Sequence, residues 1–416
     1  MTMRARLLLA LIAVMPGSAP GAGPVTPDEW REDLAQLVRE LPRRHVAPET
    51  ERPLPAFQVE ADALGAALST LPRHRIVVGL ARLAAGLGDS HTEIGLAQEA
   101  VAFHRVSAAF YFFGDDLYLV VTDAGHRELL GARLEAIGQT PIEVALDRIK
   151  PLLSDDFPNP RELYNTGPEF LAIPEVLDAM EIAPLAASVH YAFVTRSGER
   201  VEAEWPVLQR GTALAALTER LVQAASGPLH MQHRDRWYWT DRLPGDRGVY
   251  LKLDRCENQP GQPKLGAVFD DALRELGRSR ERRLVIDLRL NTGGNYFKAK
   301  PLADALAKLP ADRKPELRVI VSRHTYSAAI LLLADLQREG AVLVGETPRA
   351  KPNHTGEAES FELRRSGIEV GYSTKYYKPF PALGDAAEIP IDRPVAPTID
   401  SYAAGKDPLL DAALAD

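Results

Sequence analysis

The stretch RLVIDLRLNTGGNYFKAK, residues 283–300, passes from an apolar segment through two adjacent glycines into a helix-like segment. Leu284, Val285, Ile286 and Leu288 make a short run with the length and composition of a buried strand. Gly293 and Gly294 permit positive φ and let another group come close to bare main chain. Such a turn either is only tight or aims its amide protons at something. The surrounding sequence has to decide which.

Outward from this stretch, strand and helix patterns alternate. GVYLKLDRC reads as a strand and KLGAVFDDALRELGRS as a helix. LRVIVS, the helix TYSAAILLLADLQREG and the strand AVLVGE follow the glycine turn and its helix. Strands separated by single helices imply crossover connections and a largely parallel sheet, an α/β core over residues 245–416. Active sites gather at the carboxyl ends of such strands. Ser327 falls there, at the start of an apolar helix, where free amides and the positive helix end favour an anion. Its simplest role is to cap that helix. Paired with the glycine turn, it also fits acyl transfer: a hydroxyl nucleophile beside backbone donors from Gly294 and Ala328. The G-x-S-x-G elbow is absent, since no glycines flank Ser327 at that spacing.

Upstream, residues 23–102 read as a helical domain. Thr26, Pro27 and Glu29 form a capping-box start, and Trp30, Leu34, Leu37, Val38 and Leu41 share one helical face. Residues 103–210 are β-rich, with hairpin turns at Gly114-Asp115 and Ser197-Gly198, and residues 211–244 serve as a linker. Residues 1–22 read as a secretory signal: Arg4 and Arg6, then apolar Leu7 to Met15, then small residues offering cleavage after Ala19 or Ala22. The expectation is a periplasmic or secreted protein with no stable membrane span after signal removal. The single Cys256 allows no intramolecular disulfide and, at a strand end, reads as inert. A net charge of −8 without a basic block argues against nucleic acid as a partner.

A serine nucleophile needs a proton acceptor. His91, in the glycine-rich break GLGDSHTEIG, stands out among ten histidines. Lys351, in VGETPRAKPNH, is the other option, although an exposed lysine is its ordinary reading and catalysis would require burial. HMQH (His230, His233) lacks a third ligand nearby and reads as a surface cluster. The Asn353-His354-Thr355 sequon reads as part of an active-site loop, and RWYWTDR (residues 236–242) as hydrophobic packing.

Taken in order, GDSHT (88–92), VIDLRLNTGGN (285–295), TYSAAILLLADL (325–336), VGETPRAKPNHTGE (344–357), FELRRSGIEVGYSTKYYKP (361–379) and GKDPLLDAAL (405–414) resemble the C-terminal processing peptidase family. This is the serine peptidase group of tail-specific proteases, the tricorn core and the retinoid-binding-protein repeats. The match is dense over residues 245–416. It implies a ClpP/crotonase-like core, Ser327 as nucleophile, and Gly294 and Ala328 as oxyanion donors. It implies a peptide or protein substrate and neither a metal nor an organic cofactor.

Members activate the serine in two ways. Lys351 aligns with the lysine of a VGExTxGKG-like element, but Ala350 and Pro352 replace its flanking glycines. Ser90 and His91 match the tricorn-like Ser-His pattern, which is the favoured branch. The histidine would be oriented through Ser90 and an acid, with Asp392 the first choice and Glu357 the second. The segment GARLEAIGQTPIEVAL loosely resembles the later half of a PDZ module, yet the glycine-rich carboxylate loop before it is replaced by TDAGHRELLGAR. The middle domain is therefore a degenerate PDZ-like unit at most. The reading is an exported serine-type endopeptidase; the alternative is a catalytically inactive peptide- or ligand-binding protein on the same fold. A crotonase-type acyl-CoA enzyme is disfavoured by the export signal.

Overall fold

Every residue of Val249–Leu253 and Arg283–Asp287 is buried, as expected for parallel strands covered on both faces. These strands lie inside a six-stranded sheet. Its order is Arg393–Pro394, Val342–Gly345, Glu316–Val321, Arg283–Asp287, Val249–Leu253 and Tyr238–Arg242. All neighbours pair in parallel except the last two strands, so Tyr238–Arg242 is an antiparallel edge. The computed structural model describes residues 24–46, 54–156, 159, 161–210, 212, 216–222 and 227–415. The signal-peptide reading of residues 1–22 lies outside them.

The period-two alternation of each strand fills two separate cores. Val249, Leu251, Leu253, Leu284, Ile286, Val319 and Val321 face the helices Leu265–Leu276, Tyr296–Ala307 and Ala328–Arg338. Tyr250, Val285, Ile320 and Val344 face the C-terminal helix Pro408–Leu414 through Leu409 and Ala413. Burial on both faces makes the sheet rigid, and its register is fixed by parallel pairs such as Asp287 with Ile320 and Val321 with Gly345. The loops after Arg283–Asp287 and Glu316–Val321 therefore leave the same edge side by side.

By compactness the described residues fall into two units. One holds residues up to 221 together with 354–377; the other holds 222–353 and 378–416. This differs from the sequence-based boundary in two places. The hairpin His354–Glu362 and Glu369–Tyr377, expected inside the 245–416 core, belongs to the first unit. The reason is apolar. Phe361, Leu363, Ile368, Val370 and Tyr372 complete the core of the helices Pro27–Arg44, Leu54–Ala67 and Arg73–Ala85, packing with Trp30, Leu37, Leu41, Val77 and Leu80. Buried Asp33 reinforces this by accepting the Arg365 and Ser366 backbone N–H at 2.9 and 2.8 Å. The second difference is the expected linker 211–244, which contributes the strands Glu219–Arg220 and Tyr238–Arg242.

The β-rich middle is an antiparallel sheet in the order Ala108–Phe113, Asp116–Thr122, Arg133–Ile137, Ser188–Val194 and Arg200–Pro206. Its core, built on Phe112, Leu119, Tyr191, Phe193 and Trp205, is distinct from that of the helices. Both expected hairpin turns form, with Gly114 and Gly198 at positive φ. The first helix begins with the expected capping box between Thr26 and Glu29. Among the described residues, no helix is long and apolar enough to cross a membrane.

Candidate active site

Strand Arg283–Asp287 ends where the chain turns on Asn291. This residue is fully buried, and its amide joins three segments. Its Nδ2 donates to the Leu253 carbonyl at 2.9 Å, and its Oδ1 accepts the Gly293 N–H at 2.8 Å. Its own carbonyl accepts the Tyr326 N–H at 2.9 Å. One side chain and one peptide thus bind the glycine turn to a neighbouring strand and to the serine loop. Across the turn, Cys256 N–H donates to the Gly293 carbonyl and Asn295 N–H to the Cys256 carbonyl, both at 2.8 Å. This bridge leaves out the Gly294 amide, which makes no hydrogen bond among the described residues.

Gly293 and Gly294 hold φ of 96° and 123°. A Cβ on Gly293 would lie 2.6 Å from Ser327 Cβ and 3.1 Å from Ser327 Oγ; on Gly294 it would lie 3.0 Å from the Cys256 carbonyl oxygen. The bare backbone is there to admit Ser327. Ser327 sits immediately before helix Ala328–Arg338, at φ 57° and ψ −125°, a conformation that costs a non-glycine residue about 1–3 kcal/mol. The capping role that its position suggests is not taken: its side chain makes no cap hydrogen bond, although its carbonyl accepts the Ile330 N–H at 2.8 Å. The Ala328 amide, first in the helix, is likewise unbonded among the described residues. The structure therefore packs Ser327 against the sharply turned Gly293, with one idle N–H donor in the glycine turn, at Gly294, and another at a helix N-terminus, at Ala328.

The serine loop is fastened from beneath. Thr325 Oγ1 donates to the Leu288 carbonyl at 2.9 Å, and Ser322 Oγ to the Arg289 carbonyl at 2.5 Å. Arg349 lies 4.2 Å over the Tyr326 ring. Burial and then the charge of Arg323 push the His324 imidazole down to about 4. A free histidine titrates near 6.5, so the unfolded chain binds a proton between about pH 6.5 and pH 4 and the folded chain does not. Stability should fall as pH drops through that window, by about 2 kcal/mol at about pH 5. Urea melts of wild type and His324→Asn at about pH 5 and about pH 7.5 check this, because the asparagine variant should lose that share of the pH dependence.

A buried ion network anchors the same turn. Arg289 binds Asp287 through Nε and Nη2 at 3.0 and 2.9 Å, and Asp407 through Nη1 at 2.8 Å. Tyr250 donates to Asp287 at 2.6 Å, and His230 lies 2.9 Å from Asp407. Burial works against the Arg289 charge, but Asp287 and Asp407 outweigh it and hold the guanidinium protonated. Asp407 also accepts the Leu410 N–H, so the C-terminal helix is pinned next to the glycine turn. His230 is thus committed to this network, while His233 packs edge-on to Trp239 at 5.0 Å.

Lys351 is buried in this unit, contrary to its ordinary reading as an exposed lysine. Asp392 has a separate task, accepting the Leu343 backbone N–H at 2.8 Å. Glu357 is exposed; it receives the Tyr377 hydroxyl and sits 3.6 Å from Lys375. Asn353 spends its amide on Phe380 and Gly384, with both carbonyls accepting, at 2.9 and 2.8 Å. Burial raises the Cys256 thiol to about 12, which keeps it protonated.

Ser90 and His91 belong to the first unit, in the loop after Arg73–Ala85. Ser90 is buried, and its N–H donates to Asp156 at 2.9 Å. The His91 ring stacks on His354 at 6.1 Å and 5°. Asp89 Oδ1 accepts the His91 N–H at 3.0 Å and stands 3.9 Å from His91 Nδ1. Sequence reasoning passed over Asn291, Asp89 and the Arg289–Asp407 link. The Asp287–Arg289 half was readable, since residues two apart on a strand share a face.

No family model matches the sequence, and no curated protein matches it. Solved structures do. Mature CPAF complexed with lactacystin matches at TM-score 0.63 and 12% identity, over 91% of this chain and 96% of that one. Mature CPAF alone matches at 0.60 and 13%, over 91% and 94%. The photosystem II D1 C-terminal processing protease is a looser match, at 0.41 and 16%, over 91% and 98%. In fold, a mixed α/β chain with several sheets, this protein is similar to mature CPAF over nine-tenths of its length.

Proposed function

We infer that the chain is an exported serine-type endopeptidase, with a ClpP/crotonase-like core carrying the nucleophile and a degenerate PDZ-like middle. One observation carries the reading: Ser327 held at positive φ against Gly293, beside the unbonded amides of Gly294 and Ala328.

Ser327 Oγ attacks the scissile carbonyl carbon while His91 takes its proton. The carbonyl oxygen becomes an oxyanion received by the Gly294 and Ala328 amides, each such donor being worth about 3 kcal/mol in the transition state. Collapse expels the amine, which receives the proton from His91, and water then cleaves the acyl-enzyme by the same steps in reverse order. Where a carboxylate-binding loop would stand in the middle sheet, Asp123 caps the turn Ala124–Leu129 by accepting the Gly125 N–H at 2.9 Å.

The test is labelling of Ser327 by a fluorophosphonate. An unlabelled Ser327 in folded protein overturns the reading in favour of a binding protein. The burial of Lys351 supports a second candidate base. His91→Ala is expected to lower kcat/KM by about 10²–10⁴-fold, while Lys351→Ala leaves it within a few-fold of wild type. The opposite pattern reverses the assignment.

A further inference from the structure

Asp89 is 1% exposed in the loop that carries Ser90 and His91. Its two oxygens divide their partners. Oδ2 receives the Thr92 hydroxyl at 2.5 Å and sits 2.9 Å from His45 Nε2, itself a buried ring at the end of helix Pro27–Arg44. Oδ1 accepts the His91 backbone N–H and lies on the Nδ1 side of the His91 ring, 3.9 Å away. The ring is held on its other sides by the parallel His354 face and by Gly356, where a Cβ would come within 3.6 Å of His91 Cε1.

At 3.9 Å the carboxylate is beyond hydrogen-bond reach of Nδ1 and acts through its charge, which favours a proton on that nitrogen and leaves Nε2 as the basic one. It also stabilises the imidazolium, since opposite charges this close attract strongly in a dry site. Apart from Asp89, the titratable groups around His91 are His354 on the hairpin, with Tyr377 behind it, His45 after the first helix, and Asp156, which receives the Ser90 N–H. Of the carboxylates in this set, Asp89 stands at ion-pair distance from the ring itself. Burial pushes Asp89 up, but the His45 hydrogen bond and the charges of His91 and His45 prevail and keep it ionised.

We propose that Asp89 is the positioning carboxylate for His91, fixing its tautomer and orientation and stabilising its protonated form during attack by Ser327. This rests on His91 being the base. The assignment replaces Asp392 and Glu357, whose carboxylates are engaged by Leu343 and by Tyr377.

The experiment compares wild type, Asp89→Asn, Asp89→Glu and His91→Ala in hydrolysis of an activated peptide ester, from about pH 5 to about pH 9. Asp89→Asn should lower kcat at least about 10²-fold with KM within about twofold, and should move the acidic limb of kcat/KM to lower pH. Asp89→Glu should restore part of kcat and return the limb. An unmoved limb in Asp89→Asn overturns the proposal, whether kcat is retained or lost along with folding stability. Should Asp89→Asn fail to fold by circular dichroism, the tautomer decides instead. In Ser327→Ala protein, ¹⁵N shifts of His91 should report a proton on Nδ1, and a proton on Nε2 sinks the idea. His91→Ala separates the two failures. If it is inactive while Asp89→Asn is unaffected, only Asp89 is wrong; if it is fully active, the base assignment has failed.

Discussion

Ser327→Ala should abolish turnover, by on the order of 10⁶-fold in kcat, while leaving the melting temperature unchanged or slightly raised. The alcohol makes no cap bond to the helix it precedes. The strain lies in the backbone, at φ 57°, and alanine keeps it. Ser327→Gly should therefore be equally inactive but more stable by about 1 kcal/mol, because glycine adopts that φ without penalty. Stability rising as activity vanishes is the signature of a residue strained for function. Assay of a quenched peptide together with calorimetry checks both halves. Turnover surviving in Ser327→Ala would remove the nucleophile from the account.

Gly293→Val should be nearly as damaging without touching a reacting atom. Even alanine would place its Cβ 2.6 Å from Ser327 Cβ, where contact is impossible without displacement, and valine adds two methyl groups. The residue must also hold φ of 96°, a region that β-branched side chains avoid. Either the turn or the serine loop has to move, and the neighbouring Gly294 amide moves with it. Activity should fall below detection, and stability by about 3 kcal/mol or more. Fluorophosphonate labelling should be lost in parallel with turnover. A variant that melts like wild type and labels at Ser327 would show that the close packing of turn and serine is dispensable.

The central fold was legible because its strands are short, apolar and separated by helices of ordinary length. The loops after Asp287 and Val321 reach one edge through register alone, so the meeting of Gly293 and Ser327 followed from topology. The hairpin 354–377 was misplaced for a physical reason. Its alternation says only that one face is apolar, and nothing local tells which helices will cover Phe361 or Val370. Lys351 was likewise misjudged, since burial of a long cationic side chain depends on tertiary walls that sequence spacing does not encode. Asp89 escaped notice because a carboxylate beside a loop histidine looks like any solvated acid until Thr92 and His45 are seen to enclose it.

The loan of residues 354–377 to the first unit has a consequence for biosynthesis. A ribosome must reach residue 377 before that unit's apolar interior can be sealed. Early helices emerge with Trp30, Leu37 and Leu80 lacking their final cover, through the whole time that residues 222–353 are being made. Such late closure is entropically slow and leaves greasy surface exposed to wrong partners. The nascent chain therefore carries this apolar surface uncovered until the hairpin 354–377 has been made.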